Sequence, residues 1–459
     1  MQIQIHAVYP KKPAVVKTTA SAAKVARVEL APVKIASAVI AASRRPAVAE
    51  TTASAAKVAK VELAPVKRAN VAAVAQNSRT DDLVAGGLTP TAQWTSACHL
   101  RAQNEKHFEL VYGIFAPSIT HRNTMTTVAI LGATGYTAVE LIKILLRHPQ
   151  TNITALTSRE EKRPVGAVHQ SLAGRLDLPL ENLSPQEVAS RAECVFCCLP
   201  HTASAKVVPE LLQGGAKVID LGADYRLDSI ETFETWYGEK HPDPTRIGKV
   251  PYGLPEFFRT QIVSADLVAN PGCYPTSAVL PLVPLLQSNY IEPTDIIIDS
   301  KSGVSGAGRT PKLTTLYPEC NESISAYGIG THRHLPEIEQ ILSTGSGQAV
   351  KVIFTPHLTP MDRGILSTTY SKPTKLANQA ELLAVLREFY RNEPFVHVVE
   401  HLPATKDVSG TNFVHMTVRI TGGRVMTVSV LDNLIKGASG GAVQNFNLMF
   451  GYPETTALV

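Results

Sequence analysis

The sequence predicts an α/β protein in which a Rossmann-type, doubly wound domain is joined to a second α+β domain of mixed or antiparallel sheet. Residues 128–131 form a short apolar run that leads through a glycine-rich turn into residues with helical apolar spacing. Further apolar runs recur at helix-length intervals, which is typical of parallel sheets. Near the C-terminus, apolar and polar residues alternate on both sides of Thr421-Gly422-Gly423-Arg424, which indicates an antiparallel hairpin.

The first domain follows the order strand, glycine turn, helix. After the turn, apolar residues at positions 139, 142, 145 and 146 recur at helical spacing and stop before His148-Pro149. Later apolar runs at residues 153–156, 194–199 and 218–221 are separated by segments long enough for helices. This alternation predicts a parallel sheet with helices on both faces.

The strands change character beyond about residue 272. The alternation at residues 414–420 and 426–430 predicts a hairpin with one covered face. Residues 296–298 and 350–355 are predicted strands, and residues 376–390 are a predicted helix. A last helix is predicted near residues 441–450, and we expect it to return to the first domain.

Residues 1–124 form a low-complexity extension with a near-exact repeat, TTASAAKVARVELAPVK at 18–34 and TTASAAKVAKVELAPVK at 51–67. Two copies with few large apolar residues predict disorder rather than a solenoid. Because Met125 immediately precedes the first strand, we interpret the segment as an extension or a mis-assigned start. An acid-poor, Ala/Ser/Thr-rich composition also suits an organelle transit peptide. The predicted location is cytoplasmic, with an organelle as the alternative.

Charge and apolar patterning exclude several classes of function. The net charge of +5 arises in the extension, with 16 Lys/Arg against 7 Asp/Glu, whereas residues 125–459 hold 28 against 32 and are mildly acidic. This balance argues against a nucleic-acid partner, and no apolar run is long enough to span a membrane. Cys194, Cys197 and Cys198 form a C-x-x-C inside an apolar run, which predicts a buried strand rather than a metal site. We expect no metal.

The turn after the first strand carries the predicted cofactor site. Its small residues let backbone N–H groups at a helix N-terminus approach a pyrophosphate. The second strand runs into a serine and an arginine instead of an acidic residue, and these side chains suit a 2′-phosphate. We therefore predict NADP(H), bound by seven residues: Gly132, Thr134, Gly135, Tyr136, Thr137, Ser158 and Arg159.

Cys273 is the predicted nucleophile. It lies in the segment NPGCYPT at residues 270–276, ahead of a predicted helix whose dipole and free N–H groups are expected to lower the thiol pKa and to form an oxyanion site. The cluster His332-Arg333-His334 supplies an acid/base partner. Because side chains at i and i+2 diverge, one histidine is expected to face the cysteine, with His334 favoured. The other is expected to be structural or to face the substrate.

Residues 300–309, SKSGVSGAGR, predict a Gly/Ser loop closed by arginine. N–H groups, hydroxyls and a guanidinium are the donors that wrap an anion, so Ser305, Gly306 and Arg309 are predicted ligands of an acyl phosphate. The segment lacks the Walker spacing, which disfavours nucleotide hydrolysis.

From Met125 to the C-terminus the sequence resembles the N-acetyl-γ-glutamyl-phosphate reductases. The shared motifs are GATGYTAVEL at 132–141, LPH at 199–201, IDLGADYRL at 219–227, VPYGLPE at 250–256, NPGCYPT at 270–276, SKSGVSGAGR at 300–309, HRHLPEI at 332–338, TPHLTPMDRGI at 355–365 and DNLIKGASGGAVQN at 432–445. The sequence departs from the family at Ala138, where glycine is common, and at Gly441, where glutamine is frequent.

The resemblance implies an NADP-binding domain of residues 125–271 and about 433–459, and a catalytic and oligomerisation domain of residues 272–432. It implies a homo-oligomer, a dimer or a tetramer. The implied reaction is NADPH-dependent reduction of N-acetyl-γ-glutamyl phosphate to the 5-semialdehyde and phosphate, a step of arginine biosynthesis. A thioester on Cys273 and a histidine of the HRH motif as acid/base belong to the implied mechanism.

Other interpretations stay open. The same residues serve a different acyl phosphate, of the aspartyl or aminoadipyl type. A non-catalytic dinucleotide-binding regulator would keep the glycine turn but has no reason to keep Cys273, His334 and Arg309 together. A cysteine hydrolase would not need Ser158 and Arg159.

Overall fold

The computed structural model describes residues 125–459, which all belong to one compact unit. The repeat, the predicted disorder and the transit-peptide alternative concern residues 1–124 and lie outside the described residues. Between residues 125 and 459, no helix combines the length and the apolar character needed to cross a bilayer.

The first sheet contains six parallel strands: β1 Thr126–Leu131, β2 Thr151–Thr157, β3 Leu180–Glu181, β4 Cys194–Cys197, β5 Lys217–Asp220 and β6 Leu267–Ala269. Their order, β3-β2-β1-β4-β5-β6, is that of the doubly wound dinucleotide-binding fold. All four residues of β4 are buried, as predicted for its apolar run. Helices cover both faces of such a sheet, so its central strands are continuously apolar.

Six helices accompany this sheet: α1 Tyr136–Leu145, α2 Val165–Val168, α3 Pro185–Ala189, α4 Val208–Gln213, α5 Ile230–Tyr237 and α6 Pro255–Val263. The predicted first helix begins directly after the glycine turn, and its buried face includes Leu141, Ile142 and Leu145. These side chains join β1, β2 and β4 in one apolar core. Burial of this face, rather than intrinsic propensity, is the main source of stability for so short a helix.

The second sheet is mixed and has seven strands: β7 Ile291–Gly303, β8 Ser325–Ala326, β9 Val352–Thr359, β10 Ile365–Pro373, β11 Val396–Val398, β12 Val414–Thr421 and β13 Arg424–Leu431. Their order is β11-β12-β13-β10-β7-β9-β8. The predicted hairpin pairs β12 with β13, and Gly422 and Gly423 both have positive φ at its turn. A turn with two consecutive residues of positive φ has a backbone twist that matches the twist of the flanking strands. The predicted fold class is confirmed.

Four helices accompany the second sheet: α7 Cys273–Gln287, α8 Tyr317–Cys320, α9 His334–Ser346 and α10 Gln379–Phe389. Helix α7 has 13 buried residues and packs across β7, β10 and β13, so it forms the centre of this core. Helix α10 begins later than predicted because Asn378 and Glu381 form a capping box.

The predicted Gly/Ser loop is partly a strand. Ser300 and Ser302 are buried within β7, which pairs with both β9 and β10, and Ser300 Oγ lies 2.7 Å from Ser367 Oγ. Small hydroxyl side chains pack inside the sheet here because they find partners on neighbouring strands. Only the continuation, a 3₁₀ turn at Val304–Ala307, leaves the sheet.

The chain ends with a π-helix, Ile435–Ser439, followed by α11, Gly440–Phe450. Val443, Phe446 and Met449 of α11 pack in the same apolar core as β1 and α1. The last helix therefore contacts the first sheet. The π-helix lies where the chain passes from the second sheet to the first.

Candidate active site

Cys273 lies between the two sheets. Strand β6 ends at Ala269, and α7 begins at Cys273 with Gly272 as its N-cap. The cysteine is therefore at the carboxyl edge of the parallel sheet, where doubly wound folds bind their ligands. From the other side, Gly437 packs so closely that a Cβ on it would lie 2.8 Å from Cys273 Cβ. The thiol is half-buried.

A buried carboxylate fixes the turn that presents Cys273. Glu337, on α9, accepts hydrogen bonds from the Gly272 N–H and the Tyr252 hydroxyl, each at 2.8 Å. Its other oxygen lies 3.5 Å from Arg226 Nη1. The Arg226 guanidinium also donates to the carbonyls of Asn270 and Leu221, so it is held rigidly while buried. Because these partners fix the position of the guanidinium, its positive charge is preorganised for an anion.

The two predicted histidines have different surroundings. A Cβ on Gly272 would lie 2.6 Å from His334 Nε2, which places that ring nitrogen beside the cysteine turn. Its Nδ1 is buried without a hydrogen-bond partner among the described residues. His332 accepts the His334 N–H at 3.1 Å and packs edge-on against the rings of Tyr274 and Tyr327. The geometry favours His334 as the residue that faces Cys273.

Burial dominates the electrostatics of this site. Desolvation raises the pKa of the Cys273 thiol to about 11, although the Arg226 charge and the N–H groups of Tyr274 and Cys273 act in the opposite direction. The expected net lowering of the pKa is therefore wrong, because desolvation outweighs the helix terminus. Burial and the nearby charges of His332 and Arg226 hold the pKa of His334 well below its ordinary value of 6.5. At neutral pH the pair is a thiol beside a neutral imidazole.

The predicted nucleotide turn has the shape needed for close approach. Gly132 has φ of 76°, and a Cβ there would lie 2.4 Å from the Cys198 carbonyl oxygen, so only glycine fits. No side chain caps the N-terminus of α1 after Gly135. Thr134 and Thr137 are partly exposed beside it, and Tyr136 is exposed. These residues lie together at the start of α1, where backbone donors suit a pyrophosphate.

Ser158 and Arg159 directly follow β2 at the same edge of the sheet. Ser158 Oγ accepts the Glu161 N–H at 3.1 Å and keeps its own hydroxyl proton available. Arg159 is exposed, and no carboxylate pairs with it within the described range 125–459. Their roles as ligands of a 2′-phosphate stay predictions.

The predicted phosphate ligands of residues 300–309 have partners of their own in the structure, and their role as phosphate ligands stays a prediction. Ser305 Oγ donates to the Asp362 carbonyl at 2.6 Å and accepts from Asn433 Nδ2. Arg309 donates to the Thr134 carbonyl at 2.8 Å, so it reaches the nucleotide turn. Gly306 is exposed beside Ser302. The fixed cation beside Cys273 is Arg226, and it is the better candidate for binding the acyl phosphate.

Several residues of this site were missed by the sequence pattern: Arg226, Tyr252, Glu337 and Gly437. Each lies inside a motif that the chain shares with the reductases, but none stands at a spacing that identifies a role. The available signal was a charged residue among apolar ones, as in Tyr225-Arg226-Leu227. Such residues are rarely buried unless they are paired. The predicted buried strand with Cys194 and Cys197 is present, and burial raises the pKa of both thiols.

Comparisons with known proteins agree with this architecture. The family described as "Semialdehyde dehydrogenase, NAD binding domain" matches residues 127–265, and "Semialdehyde dehydrogenase, dimerisation domain" matches residues 273–433. The N-acetyl-γ-glutamyl-phosphate reductase of Rhodopirellula baltica is 56% identical over 72% of this chain and 98% of its own. The chain belongs to the N-acetyl-γ-glutamyl-phosphate reductase family. The reductase of Moorella thermoacetica is 52% identical over 73% of this chain and 98% of its own.

Solved structures related to this reductase family member show the same fold. An aspartate semialdehyde dehydrogenase II from Vibrio cholerae, complexed with ASA, matches with a TM-score of 0.56 and 17% identity over 71% of this chain and 98% of its own. An aspartate semialdehyde dehydrogenase from Candida albicans with NADP matches with a TM-score of 0.52 and 15% identity over the same shares of the two chains.

Proposed function

We propose that this protein reduces N-acetyl-γ-glutamyl phosphate to N-acetylglutamate 5-semialdehyde and phosphate with NADPH, through a thioester on Cys273. The observation that carries the proposal is the convergence of His334 Nε2 and Arg226 Nη1 on the Gly272 turn. A Cβ atom on Gly272 would lie 2.6 Å from His334 Nε2 and 3.0 Å from Arg226 Nη1. A nucleophile, a base and a fixed cation thus surround one point at the carboxyl edge of the nucleotide-binding sheet.

In the first step, Cys273 Sγ forms a bond to the acyl carbon and the bond from that carbon to the phosphate oxygen breaks. His334, neutral at pH 7, accepts the thiol proton as the sulfur attacks. Arg226 offsets the negative charge of the departing phosphate. The N–H groups of Cys273 and Tyr274 lower the pKa of the thiol, and because they belong to the first turn of α7 they are free of helical partners and suit the carbonyl oxygen that becomes negative.

In the second step, the thioester becomes a hemithioacetal and then the aldehyde. NADPH, when bound at the nucleotide turn, would supply the hydride that this reduction requires. The protonated His334 gives its proton to the oxygen of the hemithioacetal and takes it back when the carbon–sulfur bond breaks. The sulfur leaves as thiolate, and Arg226 stabilises that charge before Cys273 is protonated again.

The residues of the nucleotide turn fit the phosphates of a dinucleotide. Uncapped N–H groups of α1 suit the pyrophosphate, and the Ser158 hydroxyl with the unpaired Arg159 suits a 2′-phosphate. We therefore assign NADPH rather than NADH to this chain. The Candida albicans structure, solved with NADP, has the same fold.

Replacing Arg159 with alanine tests the cofactor assignment. A charge-assisted hydrogen bond contributes about 1.5–3 kcal/mol, so the preference for NADP⁺ over NAD⁺ in kcat/KM is expected to fall about 10- to 100-fold. Arg163→Ala is the matched control, because Arg163 is exposed and already paired with Glu161 at 2.6 Å. An unchanged preference in Arg159→Ala would remove Arg159 from the nucleotide site.

Homo-oligomerisation, as a dimer or a tetramer, is part of the proposal. Five large apolar side chains are exposed within residues 313–329: Leu313, Leu316, Tyr317, Ile324 and Ile329. They lie within the stretch that matches the dimerisation domain of the semialdehyde dehydrogenases. An exposed apolar cluster of this kind is typical of a surface that another copy covers. Light scattering of the full chain distinguishes the two assemblies.

The activity is tested in the reverse direction. Reduction of NADP⁺ is followed with N-acetylglutamate semialdehyde, with and without inorganic phosphate, and aspartate semialdehyde is run in parallel. We expect turnover on the acetylated substrate, and only with phosphate. Turnover on aspartate semialdehyde alone would support the reaction type but would refute the assignment of N-acetyl-γ-glutamyl phosphate as the substrate. Phosphate-independent reduction of NADP⁺ with release of the free acid would favour a non-phosphorylating aldehyde dehydrogenase. No turnover on either substrate would favour a binding regulator, or a hydrolase if NADP⁺ also fails to bind.

A further inference from the structure

The π-helix Ile435–Ser439 contacts both halves of the active site. Gly437 packs against Cys273, because a Cβ atom on Gly437 would lie only 2.8 Å from Cys273 Cβ. Two residues further on, Ser439 Oγ donates to the Thr137 carbonyl at 2.7 Å, in the first turn of α1. Asn270, in the cysteine turn, donates to the Ala438 carbonyl at 3.2 Å. One short segment therefore spaces the cysteine from the nucleotide turn.

A buried ion pair holds this segment. The side chain of Lys436 is 1% exposed and that of Glu256 is 0% exposed, and their Nζ and Oε1 atoms lie 2.6 Å apart. Lys436 Nζ also donates to Gln444 Oε1 at 2.7 Å. Removing two charges from water costs several kcal/mol for each ion, and their attraction offsets that cost only with good geometry. A buried ion pair therefore adds little to the free energy of unfolding. The location of this pair beside the active site is a better guide to its role than its contribution to stability.

The pair connects the π-helix to a rigid surrounding. Glu256 lies in the first turn of α6, which directly follows the Tyr252 segment. Gln444 of α11 donates to Glu454, and Glu454 pairs with Arg259 at 3.0 Å. Lys436 is thus fixed to α6 and α11, while its neighbour Gly437 touches the cysteine. π-Helices are often found at functional sites.

We infer that Lys436 and Glu256 are positioning residues, which hold the π-helix so that Gly437 covers Cys273 and Ser439 holds the nucleotide turn. The inference rests on the proposed function, since the spacing it sets is that between the thioester carbon and the reduced nicotinamide. Neither side chain touches the reacting atoms. A shift of about 1 Å in such spacing can cost about 100-fold in rate.

The test replaces the ion pair by an apolar pair, Lys436→Met with Glu256→Leu, because a single variant would leave one buried charge unpaired. Arg424→Met is the control, since it removes an ion pair with Asp295 at 2.6 Å in the second sheet and does not belong to the network around Lys436. Four quantities are measured on the full chain: the melting temperature, kcat, KM for NADP⁺, and the rate at which iodoacetamide alkylates Cys273. The alkylation is followed by mass spectrometry of the peptide that contains Cys273.

For the apolar pair we expect kcat to fall about 100-fold with KM for NADP⁺ within about threefold, and Cys273 to be alkylated at least about fivefold faster once Gly437 no longer covers it. For Arg424→Met we expect a slightly lower melting temperature with kcat and alkylation within about threefold of the parent. Unchanged alkylation in the apolar pair, or equal losses of kcat in both variants, would overturn the positioning role. If the parent shows no turnover, the proposed function fails. The alkylation rates then still show whether the Lys436–Glu256 pair holds Gly437 against Cys273.

Discussion

Cys273→Ser is expected to lower phosphate-dependent turnover by at least about 1000-fold, because a serine hydroxyl is a much weaker nucleophile than a thiolate and forms an ester instead of a thioester. The loss should appear in kcat and in kcat/KM to the same degree, since the bond that forms exists only along the reaction path. The measurement is NADP⁺ reduction with N-acetylglutamate semialdehyde and phosphate. Oxygen replaces sulfur at one atom, so the packing of Gly437 against Cβ is preserved.

Cys320→Ser is the control for this variant. Cys320 is partly exposed in α8, and its thiol donates to the local carbonyls of Thr315 and Tyr317. The activity of the Cys320→Ser variant is expected to stay within about twofold of that of the parent. Retention of a tenth or more of the parent rate in Cys273→Ser would assign the chemistry to another group.

His334→Asn is expected to lower kcat/KM by about 100- to 10,000-fold, the usual contribution of a positioned acid or base. Asparagine keeps a polar side chain of similar reach in the buried site but cannot take up the thiol proton. The low pKa of His334 has a second consequence. Because the neutral imidazole is the active form, the acid limb of the parent pH profile should lie well below pH 6.5, and it should be absent from the variant.

His332→Asn distinguishes the two histidines. Burial lowers the pKa of His332 to about 4, and its ring is enclosed by aromatic side chains. Loss of its contact with the His334 N–H is expected to lower kcat/KM by about tenfold or less. A larger loss in His332→Asn than in His334→Asn would reverse the assignment made here.

The site shows where sequence patterns are informative and where they are not. Cys273 and His334 could be singled out as candidates because reactive residue types stand in short, recognisable segments. Arg226 and Glu337 were not, since they are 111 residues apart and meet only when α9 packs beside the cysteine turn. The direction of the Cys273 pKa shift was mispredicted for the same reason. Helix position is local, whereas desolvation depends on every segment packed around the thiol.

The loop at residues 300–309 gives a second example. Its composition predicts ligands of an acyl phosphate, which stays a prediction, but composition does not indicate the partners that these residues have in the fold. Ser300 and Ser302 belong to β7, and their hydroxyls serve the packing of the second sheet. Arg309 reaches the Thr134 carbonyl. A guanidinium on an irregular segment is directed by its long-range contacts, which composition does not encode.

The amino-acid sequence predicted the fold class and the family correctly, and it singled out the glycine turn and Cys273, because periodicity and short motifs are local properties that each segment carries alone. The tertiary structure adds that His334 Nε2 and Arg226 Nη1 lie beside the cysteine turn, that Glu337 pairs with Arg226, and that Lys436, next to Gly437, forms a buried ion pair with Glu256. Those features depend on contacts between residues far apart in the chain. Burial then determines their charge states, because the cost of desolvation arises from the packed surroundings and not from the residue itself.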